Sequence, residues 1–350
     1  MGVNGSSGSR EICIAPSTVV NSPFITSDKI CNDDQLVDSN NIKMTPAQCR
    51  SRRGGYIVPS EVQATDVGVL KQTKNDGWTA VGNTIESAVT ASLQLGRQSI
   101  SMVEGLIEKG QMSTQSHFGL AADSTALQTL YDAELIGAKS WGLNSGSQSV
   151  MFPRDGSLIL GGYDDASLAS QFFEFPVKEK LHDRFCPLQV TITGLVATIE
   201  NANKSASSAI IGDSNPLDVC VEPYDNLFRM PEGYLTLFKS FFRDFTLHPD
   251  EPVGPEEYQN MLLNLEPGIV YPTSAGDFNA TLRITINGTN GQLTVDVPPH
   301  EFQRPLRGLD KDGNVVLDTA YNELQMYGLP PSANGPVIGK ALLSQLYLFV

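Results

Sequence analysis

Apolar and polar residues alternate over short stretches along most of this chain, and helical periodicities are few. Ala88-Val-Thr-Ala-Ser-Leu-Gln-Leu95 steps as a half-buried strand does. Trp78–Val81, Phe118-Gly119-Leu120, Trp141-Gly142-Leu143 and Ser157–Tyr163 are further strand-like runs. Leu188–Ile199 alternates as a strand pair with a turn, and Asn279–Val297 as two strands around Asn287-Gly288, a good hairpin signal. Two segments read as helices. Ala126–Ile136 spaces Leu127, Leu130 and Leu135 behind a capping Ser124/Thr125, and Pro231–Phe245 opens on proline and is dense in aromatics, a core-packing stripe. Residues 1–60, rich in Ser, Asn, Asp and Pro, suit long loops between short strands, and Val337–Val350 ends the chain in apolar, strand-like residues.

With 350 residues, 40% hydrophobic and 18% charged, the chain is globular and long enough for two domains. A net charge of −15 argues against nucleic acid or an anionic membrane as partner and suits an acidic extracellular medium. No run approaches a membrane span, since Lys340 and Gln345 interrupt the most apolar tail. The Gly/Ser-rich start, Met1–Arg10, has no signal-peptide pattern. Sequons at Asn203, Asn279 and Asn287 nevertheless point to a secreted glycoprotein. Among the five cysteines no metal spacing occurs, so no metal or cofactor is expected. Cys186 and Cys220 could close a loop directly before Glu222, with reduced thiols as the alternative. Asp310-Lys-Asp312-Gly-Asn314 resembles half a calcium loop but lacks its closing glutamate, so an Asp-Gly turn between strands is the reading. Nucleophile-elbow, zinc-protease and phosphate-loop motifs are absent, and the four histidines are scattered.

One string stands out. Ser157-Leu-Ile-Leu-Gly-Gly-Tyr-Asp164 resembles the interlobe landmark of pepsin-like aspartic proteases, particularly the fungal ones. The resemblance covers roughly residues 45–350 and extends to Phe118-Gly119-Leu120, the helix after Thr125, Trp141-Gly-Leu, Cys220–Pro231 and Val337-Ile338-Gly339, all in the family's order. It implies a mostly β, bilobal pepsin-like acid protease fold with a few short helices. Residues 1–176 would form an N-terminal lobe, residues 177–350 a C-terminal lobe, with a peptide- or protein-binding cleft between them. It also implies an early bridge, Cys13 with Cys49, leaving Cys31 odd.

Chemistry in that family needs two close carboxylates sharing one proton, each on a tight turn with a glycine. This sequence departs from that pattern in three places. The first aspartate is expected upstream of the early cysteine, and residues 1–12 contain no Asp. Glu222-Pro223-Tyr224 stands in place of the second catalytic tripeptide, with Glu222 at the degenerate aspartate position. No tyrosine for a flap occurs between Tyr56 and Tyr131. Asp318, in Val315-Val-Leu-Asp-Thr-Ala320, mimics a protease loop and is the remaining catalytic candidate. The expectation is therefore a secreted, monomeric, protease-like protein with impaired catalysis and a retained cleft. An active endopeptidase represented by a truncated chain is the first alternative, a structural wall or surface glycoprotein the second.

Overall fold

A computed structural model describes residues 2–5, 8–32, 43–65, 85–95, 98–108, 115–167, 172–178, 180–181, 184–201, 204–244, 268–329 and 335–350. The chain forms two compact units: Met1–Ser140 with Gln259–Leu265 and Arg307–Val316, and Trp141–Tyr258 with Glu266–Leu306 and Leu317–Val350. Residues 141–176, grouped with the N-terminal lobe in the sequence reading, have their contacts in the second unit.

The first unit is built on one sheet. Its strands are β1 (Gly2–Gly5), β2 (Gly8–Glu11), β3 (Ala15–Ser17), β4 (Phe24–Thr26), β5 (Gln63–Thr65), β6 (Ile85–Leu95), β7 (Gln98–Ile107) and β8 (His117–Gly119). They run in the order β2-β1-β6-β7-β4-β8-β3, with β5 added to β6. The long hairpin β6–β7 turns Leu93, Ile100, Met102 and Leu106 into the core, as its alternation predicts. The run at Trp78–Val81 lies outside the described residues.

Helix α1 (Pro46–Arg52) was not anticipated in the loop-rich opening, although its signal is present. Thr45 and Gln48 form a capping box: the Gln48 N–H donates to Thr45 Oγ1 at 3.1 Å and the Thr45 N–H to Gln48 Oε1 at 2.9 Å. Cys49 on this helix is bridged to Cys31, with Cα atoms 5.5 Å apart, and Cys13 is an exposed free thiol. The expected Cys13–Cys49 bridge is thereby corrected, since α1 holds Cys49 against the turn that carries Cys31. The same helix receives the segment Arg307–Val316. Gln48 Nε2 donates to Leu309 O at 3.2 Å, and Thr45 Oγ1 to Lys311 O at 2.8 Å. Gly313, at φ +82°, lies so close to Ala47 O that a Cβ would meet it at 2.6 Å.

Helix α2 (Thr125–Asp132) follows its expected cap: the Leu127 N–H donates to Ser124 Oγ at 3.1 Å, and that hydroxyl donates to Gly119 O at 2.6 Å. Ser124→Ala removes both bonds from a buried site, and a loss of about 1–2 kcal/mol is expected in denaturant unfolding. Ser124→Asn should recover part of it.

In the second unit the strands are β9 (Trp141–Asn144), β10 (Ser157–Leu160), β11 (Lys180–Leu181), β12 (Arg184–Phe185), β13 (Gln189–Asn201), β14 (Lys204–Ile211), β15 (Leu217–Val221) and β16 (Phe228–Pro231). Helix α3 (Glu232–Asp244) follows, then β17 (Ile269–Pro272), β18 (Ala280–Asn287), β19 (Gln292–Val297), β20 (Gln303–Leu309), β21 (Val315–Leu324), β22 (Met326–Leu329) and β23 (Val337–Ile338). Helix α4 (Lys340–Leu343) and β24 (Tyr347–Phe349) end the chain. The main sheet runs β19-β18-β13-β15-β23-β16-β22 with β14 on β13, and smaller sheets run β10-β9-β24 and β17-β21-β20.

The predicted hairpin at Asn287-Gly288 is β18–β19, paired from Leu282↔Val297 to Asn287↔Gln292. The strand pair expected over Leu188–Ile199 is instead the single strand β13. Its register against β18 shifts between Ile192 and Gly194, so the glycine makes a bulge where a turn was expected. Phe238 of α3 is buried and packs at 6.0 Å from Phe278, the core role read from its aromatic stripe. Cys186 and Cys220 are bridged, with Cα atoms 5.7 Å apart.

Candidate functional site

Each unit contains the same loop motif. In the second unit the chain runs along β15 parallel to β23, pairing Cys220↔Val337 and Val221↔Ile338, loops out, and returns on β16 antiparallel to β23 at Arg229↔Val337. In the first it runs along β3 parallel to β8, pairing Ala15↔His117 and Ser17↔Gly119, and returns on β4 antiparallel to β8 at Phe24↔His117. Nine residues separate the two pairings in both cases, Cys220 to Arg229 and Ala15 to Phe24. Matching Val337 to His117 makes Glu222 equivalent to Ser17 and Gly339 equivalent to Gly119. Both glycines are required by close approach, because a Cβ on Gly339 would meet Asp225 O at 2.0 Å and one on Gly119 would meet Val20 O at 2.7 Å. The apolar-Gly strands read from the sequence thus cross beside a loop in each unit.

The resemblance places the first loop upstream of Cys13, where no aspartate exists. It lies downstream, over Ser17–Ser22, with a serine at the position equivalent to Glu222. The disulfide explains the displacement. Once Cys31 is recognised as the partner of Cys49, the early cysteine is residue 31 and the loop upstream of it is this one. A second signal was the repeat itself. Asn21 and Asn226 each stand four residues past the site position, and each buries its side-chain oxygen without a hydrogen bond among the described residues.

Ser17 is fully buried and Glu222 is 1% exposed, so neither position is open to water. The Glu222 N–H donates to Ile338 O at 3.0 Å, and Glu222 Oε1 accepts the Tyr224 N–H at 3.1 Å, a bond that folds the side chain back onto its own loop. Pro223 stiffens that turn. Three residues on, Asp225 accepts the Leu227 N–H at 2.9 Å and the Arg229 Nε–H at 2.5 Å, and the Arg229 guanidinium lies 5.4 Å from the Tyr327 ring. Asp225 and Arg229 occupy the places that Val20 and Phe24 hold in the first unit, so an ion pair fixes one loop where apolar packing fixes the other.

His117, next to the first loop on β8, stacks on Phe24 at 4.7 Å, and burial lowers its pKa to about 3, leaving it a neutral ring. On β7, Glu104 is completely buried with both oxygens lacking a hydrogen bond among the described residues, and desolvation raises its pKa to about 8. Asp318 lies within β21, and its Oδ1 accepts the Ala320 N–H at 2.9 Å. The Asp310 carboxyl accepts from Asn314 Nδ2 and from the Asp312 and Asn314 N–H groups in the turn between β20 and β21, and these bonds, the Asn314 side chain foremost, lower its pKa. Among the described residues no group of three His, Cys, Asp or Glu side chains is placed to hold a metal ion. Of the sequon residues, Asn287 is exposed, Asn279 is half-buried and Asn203 lies outside the described residues.

The sequence matches no protein-family model and no curated protein. Among solved structures, the aspartic proteinase from Irpex lacteus is similar over 99% of this chain and 89% of its own, with a TM-score of 0.55 and 11% identity. The fold is that of an aspartic proteinase. This confirms the mostly β, pepsin-like fold class with few short helices, and at this identity the likeness carries the fold alone. Within this fold each unit carries one such loop, one opening at Ser17 and the other at Glu222.

Proposed function

We propose that this protein is a secreted, glycosylated, non-proteolytic relative of the aspartic proteinases that binds an extended peptide or protein segment. The ligand class is the one the sequence reading assigned to the interlobe cleft. The observation that carries the proposal is the pair of residues at the equivalent loop positions, a buried serine and a buried glutamate. Aspartic proteolysis depends on two carboxylates, one charged and one protonated, activating a single water. A serine hydroxyl cannot take either role at acid pH, and Glu222 alone cannot act as acid and base together. Neither loop keeps a glycine after its site residue: Thr18-Val19 and Pro223-Tyr224 stand there, adding bulk where a substrate backbone would approach.

The presence of both loops weighs against an active enzyme whose first loop is merely missing from the chain. Two disulfides support an oxidising, extracellular setting, and among the described residues no helix is long and apolar enough to cross a membrane. Exposure of Asn287 suits it to carry a glycan.

The test is an assay against a broad peptide library at about pH 3–5, the range in which a carboxylate dyad works, with and without a statine-type transition-state analogue. No cleavage is expected, and Glu222→Ala should leave that blank result unchanged. Cleavage that the analogue blocks and Glu222→Ala abolishes overturns the non-proteolytic reading. Calorimetry with the analogue and with library peptides tests the binding half, which fails if nothing binds.

A further inference from the structure

Residues 43–60 form a basic island in an acidic chain. Lys43, Arg50, Arg52 and Arg53 stand there without an Asp or Glu, against a net charge of −15 for the whole. Arg52-Arg53 is the only adjacent pair among the 24 Lys and Arg residues, and Arg50 adds a third guanidinium two positions before it. Arg50-Ser-Arg-Arg53 followed by Gly54-Gly55 is a string that a serine protease with carboxylate-lined subsites reads, each arginine taking its own carboxylate and the glycines adding no bulk after the cut.

The fold conceals every part of this string. Arg53 is 1% exposed and Arg52 8%. The Arg50 guanidinium lies 4.9 Å from the Tyr56 ring, and its Nη2 donates to Asn32 Oδ1 at 3.2 Å. Proteases take their substrates extended, whereas Arg50 and Arg52 are helical in α1 and Gly54 turns at φ +73°. The peptide bond itself is tied down: Arg53 O accepts the Ser116 N–H at 3.3 Å, and the Gly54 N–H donates to Ser51 O at 3.1 Å. The cover comes from far along the chain. Leu309, 261 residues after Gln48, takes its side-chain hydrogen bond, and Gly313 lies so close to Ser51 that a Cβ would meet its Oγ at 2.6 Å.

We infer that Arg50–Arg53 is a folding-dependent cleavage signal, cut between Arg53 and Gly54 by a basic-pair-specific serine protease of the secretory route in chains whose Arg307–Val316 segment has not docked. Water adds across the peptide bond, leaving a carboxylate on Arg53 and an amine on Gly54. Cys31 and Cys49 both precede the cut, so their bridge stays within the released fragment and does not tether it. That fragment, residues 1–53, carries β3, β4 and the Ser17–Ser22 loop, so one cut dismantles the first unit. Docked chains pass intact. The inference rests on the secreted setting proposed above.

The test is digestion of the purified full chain by a protease of that specificity, read by mass spectrometry and by the new amino terminus Gly54-Gly55-Tyr56. Native wild type should stay whole. The reduced and alkylated chain should be cut at Arg53–Gly54, and Arg53→Ala should abolish that cut. Gly313→Val sets a β-branched side chain at positive φ against α1 and should raise the native cleavage rate about tenfold or more, because the rate follows the open population. Protected β13 and β18 amides in hydrogen exchange check that the second unit of this variant is folded. If the variant does not fold, wild type supplies the readout: on warming, its cleavage rate should follow exchange of the α1 amides ahead of global unfolding. An alkylated chain that resists at Arg53–Gly54 overturns the inference and leaves the arginines a packing role. So does native wild type cut as fast as the alkylated chain, a folded Gly313→Val cut no faster than wild type, or cleavage that begins only with global unfolding. The components are purified, so failure here is separate from failure of the secreted assignment, which the culture medium of producing cells reads.

Discussion

Glu104→Gln should stabilise this protein by about 3 kcal/mol at pH 7 and leave it nearly unchanged at pH 4. The wild-type carboxyl is fully buried beside apolar strand neighbours and keeps its proton up to about pH 8, whereas in the unfolded chain it ionises near its ordinary value of 4.5. A carboxyl whose folded pKa is raised binds its proton more tightly when folded. Its contribution to stability is fully present below the unfolded pKa and is lost as pH rises from 4.5 toward about 8. Glutamine has nearly the shape of the neutral acid and no proton to lose, so the gain grows by about 1.4 kcal/mol per pH unit across that window. Denaturant titrations of the two proteins at pH 4, 5.5 and 7 measure it, and a pH-independent difference sinks the assignment.

His117 adds the opposite slope. Its folded pKa is depressed from 6.5 to about 3, so its contribution is present above the unfolded value and is lost as pH falls through that interval. Between about pH 4.5 and 6.5 the two slopes cancel, and stability should form a plateau that falls by about 2 kcal/mol toward pH 3 and again toward pH 8. His117→Phe, which keeps an aromatic ring against Phe24, should remove the acid limb and let the Glu104 decline begin at about pH 4.5 instead of 6.5. The stability plateau between about pH 4.5 and 6.5 thus has two specific residues behind it.

The second large effect is expected at Arg304. Its guanidinium is 2% exposed and meets Glu323, 3% exposed, through Nε to Oε2 at 2.9 Å, and it also donates to Gln148 Oε1 at 2.8 Å. Glu323 Oε1 accepts the Gly268 N–H at 3.1 Å as well. Arg304→Met removes the cation and leaves a buried carboxylate with one backbone donor, a loss of about 3–5 kcal/mol. Arg304→Met with Glu323→Leu should recover most of that loss, because two apolar side chains carry no stranded charge. A double variant no more stable than the single one shows that packing, not the ion pair, sets the cost. Both should be read by denaturant midpoint at constant slope.

Sequence periodicity made the repetitive parts of this fold legible. Ala88–Leu95, the Asn287-Gly288 hairpin and the two longer helices stand where alternation and capping placed them. It failed where one residue has two uses. Gly194 in an alternating run can make a turn or a bulge, and only the neighbouring strand β18 decides between them. The candidate site was half legible. Glu222 kept its apolar frame and its proline, whereas Ser17 lies among Pro16, Thr18 and Val19, which keep no trace of an Asp-Thr-Gly string. What identifies Ser17 is pairing with Gly119 across a hundred residues, together with the Cys31–Cys49 bridge, and neither is a local property.

The piece Arg307–Val316 that belongs to the first unit reaches it last. A ribosome finishes residue 140 long before residue 316, and at about 5–20 residues per second the gap is roughly 10–35 seconds. Throughout that interval the Gln48 amide, 1% exposed in the finished protein, lacks its acceptor at Leu309, and the surface of α1 around Ala47 lies bare. The amino-terminal unit is therefore almost wholly synthesised by residue 140 yet cannot close its own surface until residue 316 has followed.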